Sequence, residues 1–420
     1  MKHRFPTPLN GFMRTRAKNQ CTVEDYKMNL GDTNNHTDEP ARGSVLRRKR
    51  ALSILTTVAA LAFCQSAMAV TAVDEGVMTP IGESGFETPD VPAGGFQYLP
   101  AGGEWAFADS AGITENGSAF TSCNPVTPQG QQALFIQQTG QAQKTITISS
   151  AGAYRVNLQG AQRGCINSPL GQTLRISLAG SRIGNIRPQD GAYRLYHSTA
   201  MWLEPGNYQL LISGVSASGD NTAFVDDVQL ERLPLWSEAS SWLENSVPGP
   251  GDEVYIPAGA AIALDNLNAA NVIINEGILT APVNRDFTLD VAEIHVMAGG
   301  LLELGREEAT FNGQGVITLL GDNPAAESKL IHAMNGGRIE MHGQPRLSWT
   351  QLGASAGVGD TSITLKEAVN WRAGDRIVIA SSDFDMNHAE EFTIASVSGD
   401  RKTLTLNDRL AYNHFGKLQE

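Results

Sequence analysis

The sequence predicts an all-β protein of two or more domains: a sandwich or barrel first, then a stack of short strands cornered by glycines. Three observations predict this. Long amphipathic helical patterns are hard to find after residue 76, whereas short alternating runs bounded by Gly, Pro, Asn and Asp recur, as in KTITIS (144–149), YRVNLQ (154–159), TLRISLAG (173–180) and YQLLISGV (208–215). A motif repeats: IHVMAGGLLELG (294–305) echoes IHAMNGGRIEMHG (331–343), with a shorter version starting at Val272. Finally, 420 residues exceed what one hydrophobic core usually serves.

The chain opens with a polar, unpatterned stretch expected to be disordered, with Met28 a possible true start. RRKR (47–50), an apolar run and small residues at Ala67 and Ala69 then give a signal peptide's layout, with cleavage after Ala69. A membrane anchor over residues 51–70 is the competing reading, disfavoured by Gln65 and Ser66; a lipoprotein through Cys64 is weaker because of the bulky Phe63. With residues 1–69 removed, 20 basic and 39 acidic residues remain, a formal net charge of −19. Nucleic acid is then a poor partner, since its phosphates demand Lys and Arg. The mature chain carries no further candidate membrane span.

Of four cysteines, Cys21 and Cys64 leave with the leader. Cys123 and Cys165 remain and are expected to pair in an oxidising compartment; a metal-binding pair lacks any CxxC or His companion. The alternating pattern breaks near residue 235, where Trp236, Trp242 and the turn-rich VPGPGDEV open a new block. The expected domains are therefore 76–233, 236–343 and an incomplete 344–420. In the second block, strand–glycine–strand units cannot bury their apolar faces singly and are expected to stack as a solenoid, with Gly299-Gly300 and Gly336-Gly337 supplying positive φ at the corners.

GFETPD (85–90) and AFVDDVQL (223–230) mark the two ends of the first domain, and the tract from Trp105 to Phe120 belongs to the same pattern. The domain resembles the galactose-binding-like carbohydrate-binding modules. The resemblance implies a jelly-roll sandwich and a structural calcium held by Glu87 and Asp227, with Asp226 a further ligand; spacing alone leaves them as solvated turn carboxylates. A sugar site would need exposed aromatic rings, and Trp105, Trp202, Tyr193 and Tyr196 are the candidates, with core packing the commoner role of each.

From Ser241 the chain reads SWLENSVPGPGDEVYIPAGAAIALD, and it continues through LSWTQL (347–352) to NWRAGDRIVIASSDFDMNHAEEFTI (370–394). This tract resembles the eight-glycine domain proteins of the hyaluronan-binding and fibrocystin-like group. The resemblance implies an extracellular polysaccharide partner and a right-handed β-helix. The ending LAYNHFGKLQE reads as a first rung that continues in a longer protein.

Glycosidic cleavage would need two carboxyl groups, one protonated and one ionised. Asp375, Asp383, Asp385, Glu390 and Glu391 lie close in sequence with Arg376 and His388. Asp383 leads, with Asp375 beside it and Arg376 as a clamp for a substrate carboxylate, although structural roles suit each of them better. His295, His332 and His342 occupy similar rung positions; ordinary rung residues are the plainer reading, a metal ladder the other. No nucleophile elbow, phosphate loop or zinc signature occurs. The expected function is a secreted or cell-surface glycan-binding protein; the alternative is a polysaccharide depolymerase whose β-helix runs beyond this chain.

Overall fold

The structure is a computed structural model describing residues 69–73, 76–165, 171–320 and 329–416. The proposed leader up to residue 68, and with it all of segment 51–70 except its last two residues, lies outside the described residues. Among the described residues the only helices are two three-residue 3-10 turns, Ala239–Ser241 and Met386–His388. The alternating runs are strands: KTITIS lies within Gln141–Ile148, YRVNLQ within Gly152–Gln162, and YQLLISGV largely within Gly206–Gly214. Side chains alternate across such strands, so one set of apolar residues meets a single core.

That core is a sandwich of two antiparallel sheets. One sheet joins Leu174–Leu178, Gly206–Gly214 and Gln141–Ile148; the other centres on Gly152–Gln162, Thr222–Arg232 and Gln132–Gln137. Leu134, Ile136, Val156, Leu158, Leu210, Ile212 and Val225 fill the space between them and are fully buried. The first and last segments lie side by side: Val77–Thr79 pairs with Leu230–Arg232, and the Val228 amide donates to the Ser84 carbonyl. Cys123 and Cys165 are disulfide-bonded, with Cα atoms 5.7 Å apart.

The second block is a set of parallel ladders. Glu253–Ile256, Val272–Asn275, Glu293–Val296 and Leu330–Ala333 form one; Ala261–Ala263, Ile278–Thr280, Leu301–Arg306 and Arg338–Met341 form another; Asn266–Ala269, Phe287–Val291 and Gly315–Leu319 form a third. Register places Val254, Ile273, Ile294 and Ile331 in one inward column. The glycine pairs divide their labour. Only the first of each pair has positive φ, +87° at Gly299 and +88° at Gly336. The second is glycine for want of space, because a Cβ on Gly300 or Gly337 would meet the carbonyl oxygen of Asn275 or Val296 on the preceding rung. The expectation of positive φ at both is corrected accordingly.

Strand Val70–Thr71 adds in parallel to Val254–Tyr255, so the chain contributes to the second block before it builds the sandwich. A two-residue strand has no periodicity by which sequence could reveal it. Sandwich and parallel block share a small core of Ala153, Ala200, Leu233, Leu235, Ala261 and Ala263. The Val283 amide donates to the Ala200 carbonyl at 2.8 Å across this seam. After residue 344 a four-stranded antiparallel sheet of Ser362–Thr364, Thr403–Leu406, Glu390–Val397 and Arg376–Ile379 has its own core around Ile363, Phe392, Ile394 and Leu404.

Candidate functional site

The carboxylates of the 370–391 tract are engaged by the protein itself. Asp375 follows Gly374, whose φ is +91°, and its Oδ2 accepts from the Arg372 amide at 2.8 Å and from Arg346 Nη1 at 3.1 Å. It caps a turn. Arg376 donates through Nε to Glu391 Oε1 at 2.6 Å on the neighbouring strand, so the guanidinium proposed as a substrate clamp already holds a carboxylate.

Asp383, Asp385 and His388 do converge. Asp383 Oδ2 lies 2.7 Å from His388 Nδ1, while Oδ1 accepts from Ser381 Oγ and from the Asp385 amide. The His388 contact, followed by that amide, brings the Asp383 carboxyl down to about 2. In turn Asp383 raises His388 above its ordinary value, and the imidazole stacks on the Tyr412 ring with centroids 4.0 Å apart. Asp385 is lowered by the Asn387 amide and side chain. Glu390 is pushed up by burial, but the amides of Ala411 and Tyr412 together with His414 more than offset this and hold it below the usual range. Hydrolysis by a carboxyl pair needs one member kept protonated near neutral pH. Asp383, Asp385 and Glu390 are all shifted the other way. Asp383 nevertheless lines an open groove of about 1110 Å³ with Trp349, Leu352, Ile379 and Phe384, and Trp349 is 71% exposed.

In the sandwich, Glu87 and Asp226 grip one turn. Glu87 Oε1 accepts from the Gln131 and Gln132 amides at 3.0 and 2.9 Å, and Asp226 Oδ2 from the Gln129 amide at 2.7 Å. Asp227 adopts φ +47° and its Oδ1 accepts from Gln229 Nε2. Asp226 is fully buried, and burial chiefly raises it to about 7; the Gln129 and Asp227 amides pull it down, the carboxylates of Asp227 and Glu87 push it up. Among the described residues no three His, Cys, Asp or Glu side chains are grouped closely enough to hold a metal ion by themselves. The donor set suits a hard cation in chemistry, but calcium takes six to eight oxygens, so carbonyl or water oxygens would have to complete its shell.

The aromatic candidates lie elsewhere than a sugar site requires. Trp105 is 2% exposed, packs tilted against Phe86 and donates through Nε1 to the Glu83 carbonyl, so it belongs to the core. Trp202 lies at the seam: its backbone exchanges hydrogen bonds with the Asn284 side chain, and the Arg285 guanidinium sits 3.7 Å over its ring. Tyr196 packs against the sandwich core, and its hydroxyl accepts from the Gln189 amide. Tyr193 is also withdrawn, its hydroxyl pushed up by burial and then by Asp226. The aromatic rings left in water on the sandwich are Phe96 and Tyr98, 44% and 40% exposed, on an edge strand. Sequence reasoning passed over them, though the spacing Phe96-x-Tyr98 puts both on one face.

Among the rung histidines, His295 and His332 stand in register with ring nitrogens 3.1 Å apart, and His295 also reaches Glu293 at 2.7 Å. His342 is on a different ladder, beside Leu304, so the three do not form one column.

Residues 241–353 match the protein family described as the G8 domain. The chain carries a G8 domain. The match begins at Ser241 and runs beyond the repeat to Gly353, past the boundary of 343 expected from sequence. This region is homologous to human Fibrocystin-L, at 33% identity over 211 residues, covering 48% of this chain and 5% of that protein. Protein rliB of Dictyostelium discoideum is 27% identical over 201 residues, 44% of this chain and 18% of its own length. The chain thus spans a small part of the curated relatives it matches. A solved structure of TmCBM61 in complex with beta-1,4-galactotriose aligns at 17% identity over 36% of this chain and 94% of its own, with a TM-score of 0.26. A family 35 carbohydrate binding module from Clostridium thermocellum aligns over 30% and 90% at a TM-score of 0.23. Scores of this size carry no argument here; the sandwich rests on its own sheet topology. No helix among the described residues is long and apolar enough to cross a membrane.

Proposed function

We propose that this chain is a secreted or cell-surface glycan-binding protein, with the G8 ladders forming the first rungs of a right-handed β-helix. The observation that carries the reading is that large aromatic rings stay in water on two faces, Phe96 and Tyr98 on the sandwich and Trp349 and Phe384 on the last domain. Pyranose rings stack their C–H faces on such surfaces, and a mature chain this acidic does not suit nucleic acid. Export is supported by the Cys123–Cys165 disulfide, which belongs to an oxidising compartment. Cleavage after Ala69 fits the strand that begins at Val70, whereas an anchor over residues 51–70 would end inside that strand.

A structural calcium belongs to the same proposal, its side-chain ligands drawn from Glu87, Asp226 and Asp227; since no three such side chains among the described residues are grouped closely enough to hold a metal, carbonyl or water oxygens would complete its shell. Supporting it, the fully buried Asp226 carboxylate lies within the electrostatic reach of two further carboxylates. Its part would be to hold the sandwich's first and last segments together.

The depolymerase reading has the Asp383 groove in its favour and the downward shifts of the neighbouring carboxyls against it. Incubating the full chain with hyaluronan, chondroitin and a neutral glycan, then sizing the polysaccharides by size-exclusion chromatography, separates the readings. Unshortened chains that co-elute with protein are expected. Shortened chains would reverse the order of the two.

A further inference from the structure

On the outer face of the larger sandwich sheet, Phe96 and Tyr98 join Phe120 and the fully buried Phe135 in one aromatic cluster. Ring centroids lie 4.5 Å apart for Phe96 and Phe120 and 4.8 Å for Tyr98 and Phe135. Phe96 and Tyr98 stand edge to face at 85° with centroids 6.1 Å apart, and their exposed faces make an angular aromatic surface, a shallow notch only in outline. Gly112 lies beneath, where a Cβ would meet the Phe135 ring and the Gln97 carbonyl. The rings are fixed before any ligand arrives, so little side-chain entropy remains to be lost on binding.

A chain of polar groups borders the notch. The Tyr98 hydroxyl donates to Gln137 Oε1 at 2.8 Å, and Gln137 Nε2 donates to Asp220 Oδ1 at 3.2 Å. Asp220 accepts from Arg163 Nη1 at 3.3 Å, and that guanidinium lies 4.5 Å from the Phe120 ring centre. Burial, more than the nearby charges, raises the Tyr98 phenol, so it stays protonated and able to donate. Beyond the Arg163–Asp220 pair a polar pocket of about 320 Å³ continues past Arg187 and Asp190. The border is rich in donors and acceptors, and its central ion pair is neutral.

We infer that this notch is a binding site for an uncharged pyranose chain, with sugar rings stacked on Phe96 and Tyr98 and their hydroxyls exchanging hydrogen bonds with Gln137, Asp220 and Arg163. The inference rests on the glycan-binding reading and adds to it a location and a class of ligand. A hydroxyl both donates and accepts, which suits a border offering both and carrying no net charge. A polyanion such as hyaluronan would meet Asp220 and an acidic chain with only Arg163 and Arg187 in compensation. A protein partner on this face is the competing occupant.

The test is isothermal titration of the full chain with laminarin, arabinoxylan and galactan as neutral probes and hyaluronan as the acidic one. Tyr98→Ala, Phe96→Ala and Gln137→Ala are compared with Trp349→Ala on the other exposed face and with Leu267→Ala. At least one neutral glycan is expected to bind more tightly than hyaluronan. Tyr98→Ala and Phe96→Ala should weaken it about tenfold or more, as loss of an aromatic anchor does, Gln137→Ala should weaken it less, and Leu267→Ala, at an exposed position outside both aromatic faces, should leave it unchanged. The Phe96 and Tyr98 rings pack on Phe120 and Phe135, so the melting temperature of each variant is recorded beside its affinity, and Tyr98→Phe, which keeps the ring, should retain most of the binding. Neutral-glycan binding that survives Tyr98→Ala and Phe96→Ala, or is lost only with Trp349→Ala, overturns the notch while keeping the glycan-binding reading. Preference for hyaluronan overturns the ligand class. No binding to any probe or to a broad glycan array overturns both.

Discussion

Gly300 lies directly over Asn275 of the preceding rung, and a Cβ placed there would come 2.3 Å from the Asn275 carbonyl oxygen. The neighbour is backbone in a parallel ladder, so it cannot swing aside. Gly300→Ala is therefore expected to destabilise the G8 domain by more than about 2 kcal/mol. Gly299→Ala faces open space and meets only the penalty of positive φ, roughly 1–2 kcal/mol. Urea unfolding of both variants checks the order; equal losses would contradict the division of labour between the paired glycines.

Trp202 is packed at the seam beneath Arg285, where a sugar would have to displace the guanidinium. Trp202→Ala is expected to cost about 2 kcal/mol or more and to separate sandwich and G8 unfolding into two calorimetric transitions. Glycan affinity should not change. Loss of affinity with a single unaltered transition would return Trp202 to the ligand site.

The Asp383–His388 pair sets a pH window for the loop before Glu390. His388 is raised, so its contribution is complete below the ordinary histidine pKa of about 6.5 and disappears as pH rises through the higher folded value. Asp383 is lowered to about 2, so its share is complete above about 3.9 and is lost only as pH falls toward 2. NMR titration of His388 should give a midpoint above 6.5, falling in Asp383→Asn. An unmoved midpoint in that variant would remove the pairing.

If calcium sits with Glu87, Asp226 and Asp227, the sandwich should melt several degrees higher in calcium than in chelator, a difference abolished by Asp226→Asn. A free energy of RT ln(1 + [L]/Kd) sets the scale, about 2.7 kcal/mol at one hundred times Kd. Identical melting in both buffers would dispose of the metal.

The Cys123–Cys165 bond closes a loop with sequence separation 42. Removing it with paired serines is expected to cost the sandwich about 2–4 kcal/mol. Because sandwich and G8 domain share a core, their common transition temperature should fall with it.

How much of this was legible in sequence depends on the range of the interaction. The alternation in YRVNLQ places Val156 and Leu158 in the core because side-chain direction is a local property of a strand. The repeated Ile-His of residues 294–295 and 331–332 places two rungs in register for the same reason. Spacing alone left Glu87, Asp226 and Asp227 as turn carboxylates; the family resemblance paired Glu87 with Asp227 and added Asp226, whereas the structure puts Glu87 and Asp226 on the 129–132 turn and turns Asp227 to Gln229. Trp105, Trp202 and Tyr196 were offered as sugar candidates with core packing as the commoner role, and sequence could not choose because exposure depends on what another segment lays over a ring, as Arg285 does over Trp202. The exposure of Phe96 and Tyr98 was invisible for the converse reason: nothing among the described residues fully covers that edge.

Affinity electrophoresis of the full chain through native gels with and without embedded glycans tests the central claim most directly. The account predicts retardation by at least one neutral polysaccharide, with the polysaccharide recovered at its original length. Unretarded migration in every glycan, or recovery of shortened chains, would contradict it.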